Sequence, residues 1–259
     1  MGHIQILRDV PSRAEGFSRT LRIFTPARYD RAPHERFGVL YMHDGQNVFE
    51  HPESVRHGGA TWAADVTLEG LIDAGRIGPW IIVAVDHGLG RFEDYSPWDE
   101  PRVGVRARGE RYARFLIDEL KPWVDAAYRT RPEPQWTGAM GSSLGGLISL
   151  YLGLAHADVF GRIGAMSPSV MWSEDGMFRH WRAHTRRWTR LYIDAGTFEQ
   201  FQLGAFPMPY GEKVRAFCEH LRGLGYGDHE LRCVLESGGE HSERDWARRL
   251  PEALSWLLG

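Results

Sequence analysis

The feature that most constrains the fold of this chain is the alternation of short apolar runs with longer amphipathic segments. The clearest apolar run, Trp80–Val85, is uncharged and β-branched, which predicts a strand buried on both faces. Further strands are predicted over 38–42, 162–166, 190–194 and 229–236, and helices over 110–127, 144–154, 212–224 and 246–258. Such alternation indicates an α/β fold, with a mostly parallel central sheet and helices on both faces.

Two segments depart from this regular alternation. Residues 20–25 alternate polar and apolar side chains, which predicts an antiparallel strand at the N-terminal edge of the sheet. Residues 171–188 are rich in tryptophan and charge and lie between two predicted strands, so they are a candidate lid or excursion. Since no linker composition interrupts the sequence, we expect one domain over residues 1–259.

Composition argues against several classes of protein. The 31 basic and 34 acidic residues give a formal net charge of −3, so neither nucleic acid nor an anionic membrane is an expected partner. No apolar stretch approaches the length of a membrane span and no signal-peptide pattern is visible, which makes a cytoplasmic location the expectation. Cys218 and Cys233 have no metal-ligand spacing, and we expect two reduced thiols, no metal and no cofactor.

Gly141, Ser143 and Gly145 fill the pattern G-x-S-x-G between a strand pattern and an apolar helix pattern. A serine in a sharp turn from strand to helix needs neighbours without side chains, because a Cβ two residues before or after it would collide. The turn exposes the hydroxyl beside the helix N-terminus. Ser143 is therefore the predicted nucleophile, and its neighbour Ser142 lacks the flanking glycines.

A nucleophilic serine needs a general base, which an α/β-hydrolase carries in the loop after its last strand. His241 follows the strand predicted over 229–236, and we predict that it is this base. His180 and His184 fall in the candidate lid, and His220 lies on a charged helix face. These three histidines are better interpreted as surface residues.

The acid that orients the histidine should follow the strand predicted over 190–194. Asp194 ends this strand, and Glu199 lies five residues later beyond a Gly-Thr turn. Glu199 is the preferred acid, because it is placed to reach across to His241. Asp194 and a Ser-His dyad without an acid stay open as alternatives.

The remaining site residues are assigned by their place at strand ends. Leu144 follows the nucleophile and Gln46 follows the strand over 38–42, so their backbone amides are the predicted oxyanion hole, with Gly45 as the alternative to Gln46. Candidate substrate contacts are His43, His87 and Trp172. A purely structural role is equally open for the two histidines.

Several stretches together resemble one family of α/β-hydrolase esterases. They are Tyr41-Met-His-Asp-Gly-Gln-Asn-Val-Phe49, Asp94-Tyr-Ser-Pro97, Gly141-Ser-Ser-Leu-Gly-Gly146, Met166-Ser-Pro-Ser169, Ile193-Asp-Ala-Gly-Thr197 and Glu240-His241. The family includes enterochelin esterases, feruloyl and acetyl-xylan esterases, S-formylglutathione hydrolases and mycolyltransferases. The resemblance implies the α/β-hydrolase fold, a serine esterase mechanism and an acid just beyond the Gly-Thr turn, which favours Glu199.

The sequence thus predicts a serine carboxylic-ester hydrolase with a Ser-His-acid triad, an acyl-enzyme intermediate and a small or medium ester as its partner. The alternative is an acyltransferase, which would use the same acyl-enzyme with an acceptor other than water. A third hypothesis is a binding protein on an inactive hydrolase scaffold. The presence of Ser143, Glu199 and His241 disfavours this third hypothesis. The sequence has no feature that indicates an oligomeric state.

Overall fold

A computed structural model of the protein describes residues 2–182 and 186–259. The strands are β1 (His3–Ser12), β2 (Phe17–Thr25), β3 (Gly38–His43), β4 (Trp80–Val85), β5 (Thr137–Ser142), β6 (Arg162–Met166), β7 (Arg190–Gly196), β8 (Gln200–Leu203), β9 (Phe206–Pro209) and β10 (Leu231–Glu236). The helices are α1 (Ala27–Arg31), α2 (Ala64–Asp73), α3 (Arg91–Asp94), α4 (Gly109–Arg114), α5 (Lys121–Ala127), α6 (Leu144–Ala155), α7 (Trp172–His180), α8 (Tyr210–Gly223) and α9 (Glu243–Leu258). Among these described residues, no helix has both the length and the sustained hydropathy that a bilayer crossing requires.

Eight strands form one sheet in the order β1-β2-β4-β3-β5-β6-β7-β10. Strand β2 is antiparallel to β1 and to β4, whereas every neighbouring pair from β4 to β10 is parallel. The mostly parallel sheet with an antiparallel N-terminal edge is therefore as predicted. Because the central strands are parallel, their carboxyl ends meet at one edge of the sheet, which is where such folds carry their sites.

Helices cover both faces of the sheet, which explains why the central strands are mostly apolar. Every residue of β3, β4 and β5 is buried. Successive side chains of a strand point to opposite faces, so Tyr41 packs in the core layer that contains Leu147 of α6, whereas Leu40 packs with Leu254 of α9. Each large apolar side chain buried in this way contributes roughly 1.5–3 kcal/mol.

The described part of the segment over 171–188 is an excursion between β6 and β7 that packs beside the sheet. In its described part, Trp172, Met177 and Trp181 are at most 1% exposed and belong to the core layer under α6 and α8. The rings of Trp181 and Phe217 of α8 lie 6.1 Å apart. The tryptophans are buried because their large apolar surfaces find partners beside the sheet, and the described part of the segment is thus a buried excursion, one of the two forms expected for it.

A disulfide joins Cys218 of α8 to Cys233 of β10, where two reduced thiols were expected. Cys218 lies on the buried face of α8, and the two Cα atoms are 6.3 Å apart, within the range that a disulfide spans. The spacing of 15 residues matches no metal or redox motif, which is why the sequence did not indicate the pair.

Removing the disulfide is expected to destabilise the fold without altering it. The bond closes a loop of 15 residues, which corresponds to about 3 kcal/mol of unfolding free energy in the chain-entropy description. Urea unfolding of the variant with both Cys218→Ala and Cys233→Ala should show this loss. Dithiothreitol should lower the midpoint of the wild type but not that of the variant. Two free thiols titrated in unreduced, unfolded wild-type protein would contradict the assignment.

Candidate active site

Ser143 stands in a strained turn between β5 and α6. Its φ of 57° and ψ of −120° lie in a region that side-chain-bearing residues rarely occupy, at a cost of roughly 1–3 kcal/mol. A Cβ built on Gly141 would lie 2.8 Å from the backbone carbon of Gly145, so this position cannot carry a side chain. The turn predicted from the glycine spacing is therefore present, with the steric cause expected for Gly141.

His241 and Glu199 meet beside this turn, although 41 residues separate them along the chain. His241 lies between β10 and α9, and Glu199 lies between β7 and β8. His241 Nδ1 donates a hydrogen bond of 2.9 Å to Glu199 Oε2. The carboxylate is buried, whereas the imidazole remains partly accessible. This arrangement fixes the tautomer of the histidine, leaving Nε2 free to accept a proton.

A buried arginine, Arg249 of α9, lies behind the Glu199 carboxylate. Glu199 Oε1 accepts hydrogen bonds from Ser167 Oγ at 2.7 Å, from the Gly196 amide at 2.7 Å and from Arg249 at 3.2 Å. The same guanidinium also reaches Asp194 at 3.1 Å and Glu236 at 3.2 Å. With these bonds, Glu199 is held as a buried carboxylate whose second oxygen faces His241.

Asp194, the alternative acid, contacts Arg249 rather than His241. Its oxygens accept hydrogen bonds from Arg249 Nε, from the Ser167 amide at 3.2 Å and from Tyr192 at 3.4 Å. Burial raises the pKa of Asp194 to about 7, although the Arg249 charge opposes the shift. Asp194 therefore belongs to the buried network under the site and joins β7 to the loop after β6.

The hydroxyl of Ser143 makes contacts that the sequence did not indicate. Ser143 Oγ lies 3.2 Å from the hydroxyl of Tyr210 and 3.5 Å from Ser169 Oγ, and these two partners are 3.0 Å apart. Within the described residues, His241 is not a hydrogen-bond partner of Ser143. Its imidazole instead packs against the ring of Tyr210, with 4.1 Å between the centroids. Tyr210 thus contacts both of these side chains.

A cavity of about 370 Å³ opens beside Ser143 and His241. It is lined by Asp44, Gln46, Asn47, His57, His87, Arg91, Ser142, Ser143, His241, Glu243 and Trp246. In the wall of the cavity, Arg91 and Asp44 form an ion pair with two hydrogen bonds, of 2.6 and 2.7 Å. Burial acts to raise the pKa of Asp44, but the Arg91 guanidinium outweighs it and holds that pKa below its ordinary value. Most of the lining residues have polar side chains, and these two charges are paired.

The backbone amides of Leu144 and Gln46, which are predicted to form the oxyanion hole, flank the region around Ser143 and the cavity. Leu144 is the first residue of α6, and Gln46 lies in the turn after β3. Neither backbone N–H has an acceptor among the described residues, so both are available to a ligand oxygen. Gln46 also lines the cavity, and its side chain accepts a hydrogen bond of 3.2 Å from the His87 amide.

Of the three expected substrate contacts, His87 lines the cavity, whereas His43 and Trp172 do not. His43 is 3% exposed and bonds to the Tyr112 hydroxyl at 2.8 Å, and burial lowers its pKa to about 3. Strand alternation puts its side chain on the same face as Tyr41, away from the cavity. Trp172 packs against aromatic rings in the core. The substrate role expected for these two residues is corrected to a structural one.

The other serine and the other histidines considered for the catalytic roles lack the geometry of Ser143 and His241. Ser142 ends β5 within the sheet and reaches the cavity wall without the strained turn. His220 bonds to the Trp181 carbonyl at 2.6 Å, and His180 stacks on Trp98. His184 lies outside the described residues.

Tyr210, Ser169 and Arg249 are the site residues that sequence reasoning missed. Ser169 belongs to the stretch Met166-Ser-Pro-Ser169, which resembles the family, but no role was predicted for it. Tyr210 follows the β8–β9 hairpin, whose length determines its position and which no periodic pattern predicted. Arg249 could have been found from its position on the inward face of α9. Arginine is rarely buried unless it is paired, so an arginine at such a position indicates a buried acidic partner.

The sheet order and the strained serine between β5 and α6 define an α/β-hydrolase. A solved ferulic acid esterase superposes with a TM-score of 0.76 at 17% identity, over 100% of this chain and 98% of its own. The enterobactin esterase FES from Shigella flexneri gives a TM-score of 0.76 at 19% identity, over 98% of this chain and 58% of its own. At these identities the similarity shows the fold, and the predicted fold class is confirmed.

The chain belongs to the esterase family described as "Putative esterase", whose sequence model matches residues 12–257. A relative from Bacillus subtilis (strain 168), "Uncharacterized protein YbbA", is 22% identical over 247 residues, which is 93% of each chain. The resemblance seen in the sequence is therefore confirmed. Membership of the family supports ester hydrolysis as the chemistry of this chain.

Proposed function

We propose that the chain hydrolyses small or medium carboxylic esters through a Ser143–His241–Glu199 triad and an acyl-enzyme. The observation that carries the proposal is the 2.9 Å hydrogen bond from His241 Nδ1 to the buried Glu199 carboxylate, next to the strained serine. Each member comes from a different loop at the carboxyl edge of the sheet. A purely structural role for all three would leave the strained backbone at Ser143 without a purpose.

In the first half of the reaction, His241 Nε2 takes the proton of the Ser143 hydroxyl. Oγ then forms a bond to the acyl carbon, and the carbonyl electron pair moves onto its oxygen, which the Leu144 and Gln46 amides stabilise. When the intermediate collapses, the bond to the leaving alcohol breaks and His241 protonates that alcohol. For this step Ser143 Oγ must approach His241 Nε2, a contact that often tightens only when substrate is bound.

In the second half, water attacks the acyl carbon and gives its proton to His241. Oγ then leaves with that proton, which releases the acid and restores Ser143. Glu199 stays ionised throughout, and it stabilises the imidazolium formed in each half. Arg249 and Ser167 position the carboxylate for this task.

A panel of p-nitrophenyl esters of increasing acyl length tests the proposal. We expect turnover of short and medium acyl chains, because the cavity of about 370 Å³ limits the group that fits beside Ser143. Adding alcohol acceptors to the assay measures the partition between acid and new ester, and a dominant ester product would favour acyl transfer over hydrolysis. If the protein turns over no ester and does not react with a fluorophosphonate at Ser143, the proposal is wrong.

Glu199→Gln is expected to lower turnover by about two to four orders of magnitude and, because Arg249 loses one of its buried charged partners, to lower the unfolding midpoint as Asp194→Asn does. The amide oxygen can keep the bonds to Ser167 and Gly196, so its NH₂ group would face His241 Nδ1. The histidine would then carry its proton on Nε2, where it cannot act as a base. Initial rates and the thermal unfolding midpoint test both parts of this expectation.

Asp194→Asn is the matched control for Glu199→Gln. It also removes a buried charge next to Arg249, but from a residue that does not contact His241. We expect it to lower the unfolding midpoint and to leave turnover within a few-fold of the wild type. Full activity in Glu199→Gln would favour a Ser-His dyad instead.

The cytoplasmic location expected from the sequence stays a prediction. The disulfide between Cys218 and Cys233 weighs against it, since disulfides persist mainly in oxidising compartments. Fractionation of the producing cells, followed by detection of the esterase activity in each fraction, distinguishes a cytoplasmic location from an oxidising compartment.

A further inference from the structure

Tyr210 is held next to the proposed catalytic residues by the β8–β9 hairpin. The chain leaves the sheet at Glu199, forms the hairpin and returns at Tyr210, whose amide donates a hydrogen bond of 3.1 Å to the Glu199 carbonyl. The tyrosine is 1% exposed, and its ring lies against His241 with 4.1 Å between the centroids. The position of Tyr210 is thus determined by its contacts with Glu199 and His241, two members of the proposed triad.

The hydroxyl of Tyr210 contacts the reacting oxygen. It lies 3.2 Å from Ser143 Oγ and 3.0 Å from Ser169 Oγ. Each of these three hydroxyls has a single proton, so the direction of the hydrogen bonds determines what Ser143 can do. If Ser143 donated to Tyr210, its proton would point away from the base. If Tyr210 donates to Ser143, the serine proton remains available to His241.

The chemistry of the groups favours the second direction. A phenol is a stronger hydrogen-bond donor than an aliphatic hydroxyl, because its proton is more acidic. Burial raises the pKa of Tyr210 above its ordinary value, with its contacts to Ser143 and Ser169 opposing the shift, so the phenol keeps its proton at neutral pH. Ser169 can then donate to the phenolic oxygen, which gives an ordered chain from Ser169 through Tyr210 to Ser143.

We propose that Tyr210 is a further catalytic residue, whose hydroxyl donates a hydrogen bond to Ser143 Oγ and leaves the serine proton for His241. The inference rests on the proposed function. Negative charge develops on Oγ when Ser143 loses its proton and again when Oγ leaves the acyl group. The Tyr210 hydroxyl oxygen already lies 3.2 Å from Oγ, and its hydrogen bond strengthens at both moments. The reason is that a hydrogen bond to a charged acceptor is stronger than one to a neutral acceptor. Tyr210 keeps its own proton throughout.

The test is Tyr210→Phe, which removes the hydroxyl and keeps the ring against His241. The loss of one hydrogen bond to a charged oxygen corresponds to a decrease of about ten- to a hundredfold in kcat/KM. The rate of Ser143 labelling by a fluorophosphonate should fall in parallel, since labelling requires the same activated oxygen. The pH at which activity rises should not move, because the contacts of His241 are retained. Ser169→Ala should slow both reactions by less than Tyr210→Phe.

Tyr226→Phe is the matched control. Tyr226 is also buried, and its hydroxyl accepts hydrogen bonds from Trp181 and from the Arg187 amide, neither of which belongs to the proposed site. Its loss should affect the unfolding midpoint and not the labelling rate. Wild-type or faster labelling in Tyr210→Phe would overturn the inference, since the hydroxyl would then hold Ser143 away from His241 or do nothing. Failure of the wild type itself to label would instead refute the proposed function.

Discussion

Ser143→Ala is expected to lower kcat for ester hydrolysis by about a thousandfold or more while the protein stays folded. Alanine keeps the Cβ, so the strained backbone at this position is unchanged. The lost hydroxyl contacts only the hydroxyls of Tyr210 and Ser169 among the described residues, and these two bond to each other. The hydroxyls of Tyr210 and Ser169 therefore each keep a partner in this variant, which is why stability should be retained.

Ser142→Ala is the control for this experiment. Ser142 is adjacent and buried, and it lines the same cavity, but it lies within β5 without the unusual backbone. We expect its activity to stay within a few-fold of the wild type. Steady-state rates and thermal unfolding of both variants decide the matter. Ser143→Ala with more than about a tenth of wild-type turnover would rule Ser143 out as the nucleophile.

His241→Ala is expected to be as damaging as Ser143→Ala, and the double variant should be little worse than either. Residues that act as one unit lose their effect together, so their individual losses do not add. The fold should persist, since Glu199 keeps its bonds to Ser167, Gly196 and Arg249. Pre-steady-state rates of the two single variants and of the double variant measure this coupling.

The pH profile of the wild type is the second measurement on His241. Activity should be lost as the pH is lowered, because a histidine base works only in its neutral form. Added imidazole should partly restore His241→Ala by entering the space that the side chain leaves beside the cavity. His229→Ala, at an exposed histidine, should leave the profile unchanged. A flat profile together with an active His241→Ala would exclude the histidine as base.

The local patterns of the sequence predicted the elements that carry most of the site. Trp80–Val85 and Arg162–Met166 were predicted with the bounds that the structure has, because strands buried on both faces are predominantly apolar. The turn at Ser143 was predicted for a similar reason, since it depends on glycines two residues away. Glu199 was chosen over Asp194 from the reach of a loop, and the structure brings Glu199 to His241.

What the sequence could not predict depends on contacts between distant segments. Tyr210 reaches Ser143 only because a hairpin returns the chain to the start of α8, and the length of a hairpin follows no periodicity. The partner of Cys218 is determined by how α8 packs on β10. The sequence could not decide between a substrate role and a structural role for His43, because its position at a strand end is compatible with either face, and the face depends on the strand register.

The β8–β9 hairpin has a consequence for how such a chain can diversify. The Tyr210 amide closes onto the Glu199 carbonyl, so the two ends of the insertion are anchored to each other as well as to the sheet. The stretch between them projects Phe201 to the surface near His241, and it carries neither the proposed acid nor the tyrosine. The exposed side chains of this hairpin can therefore vary while Glu199 and Tyr210 keep their places, because the backbone bond that closes it does not depend on them.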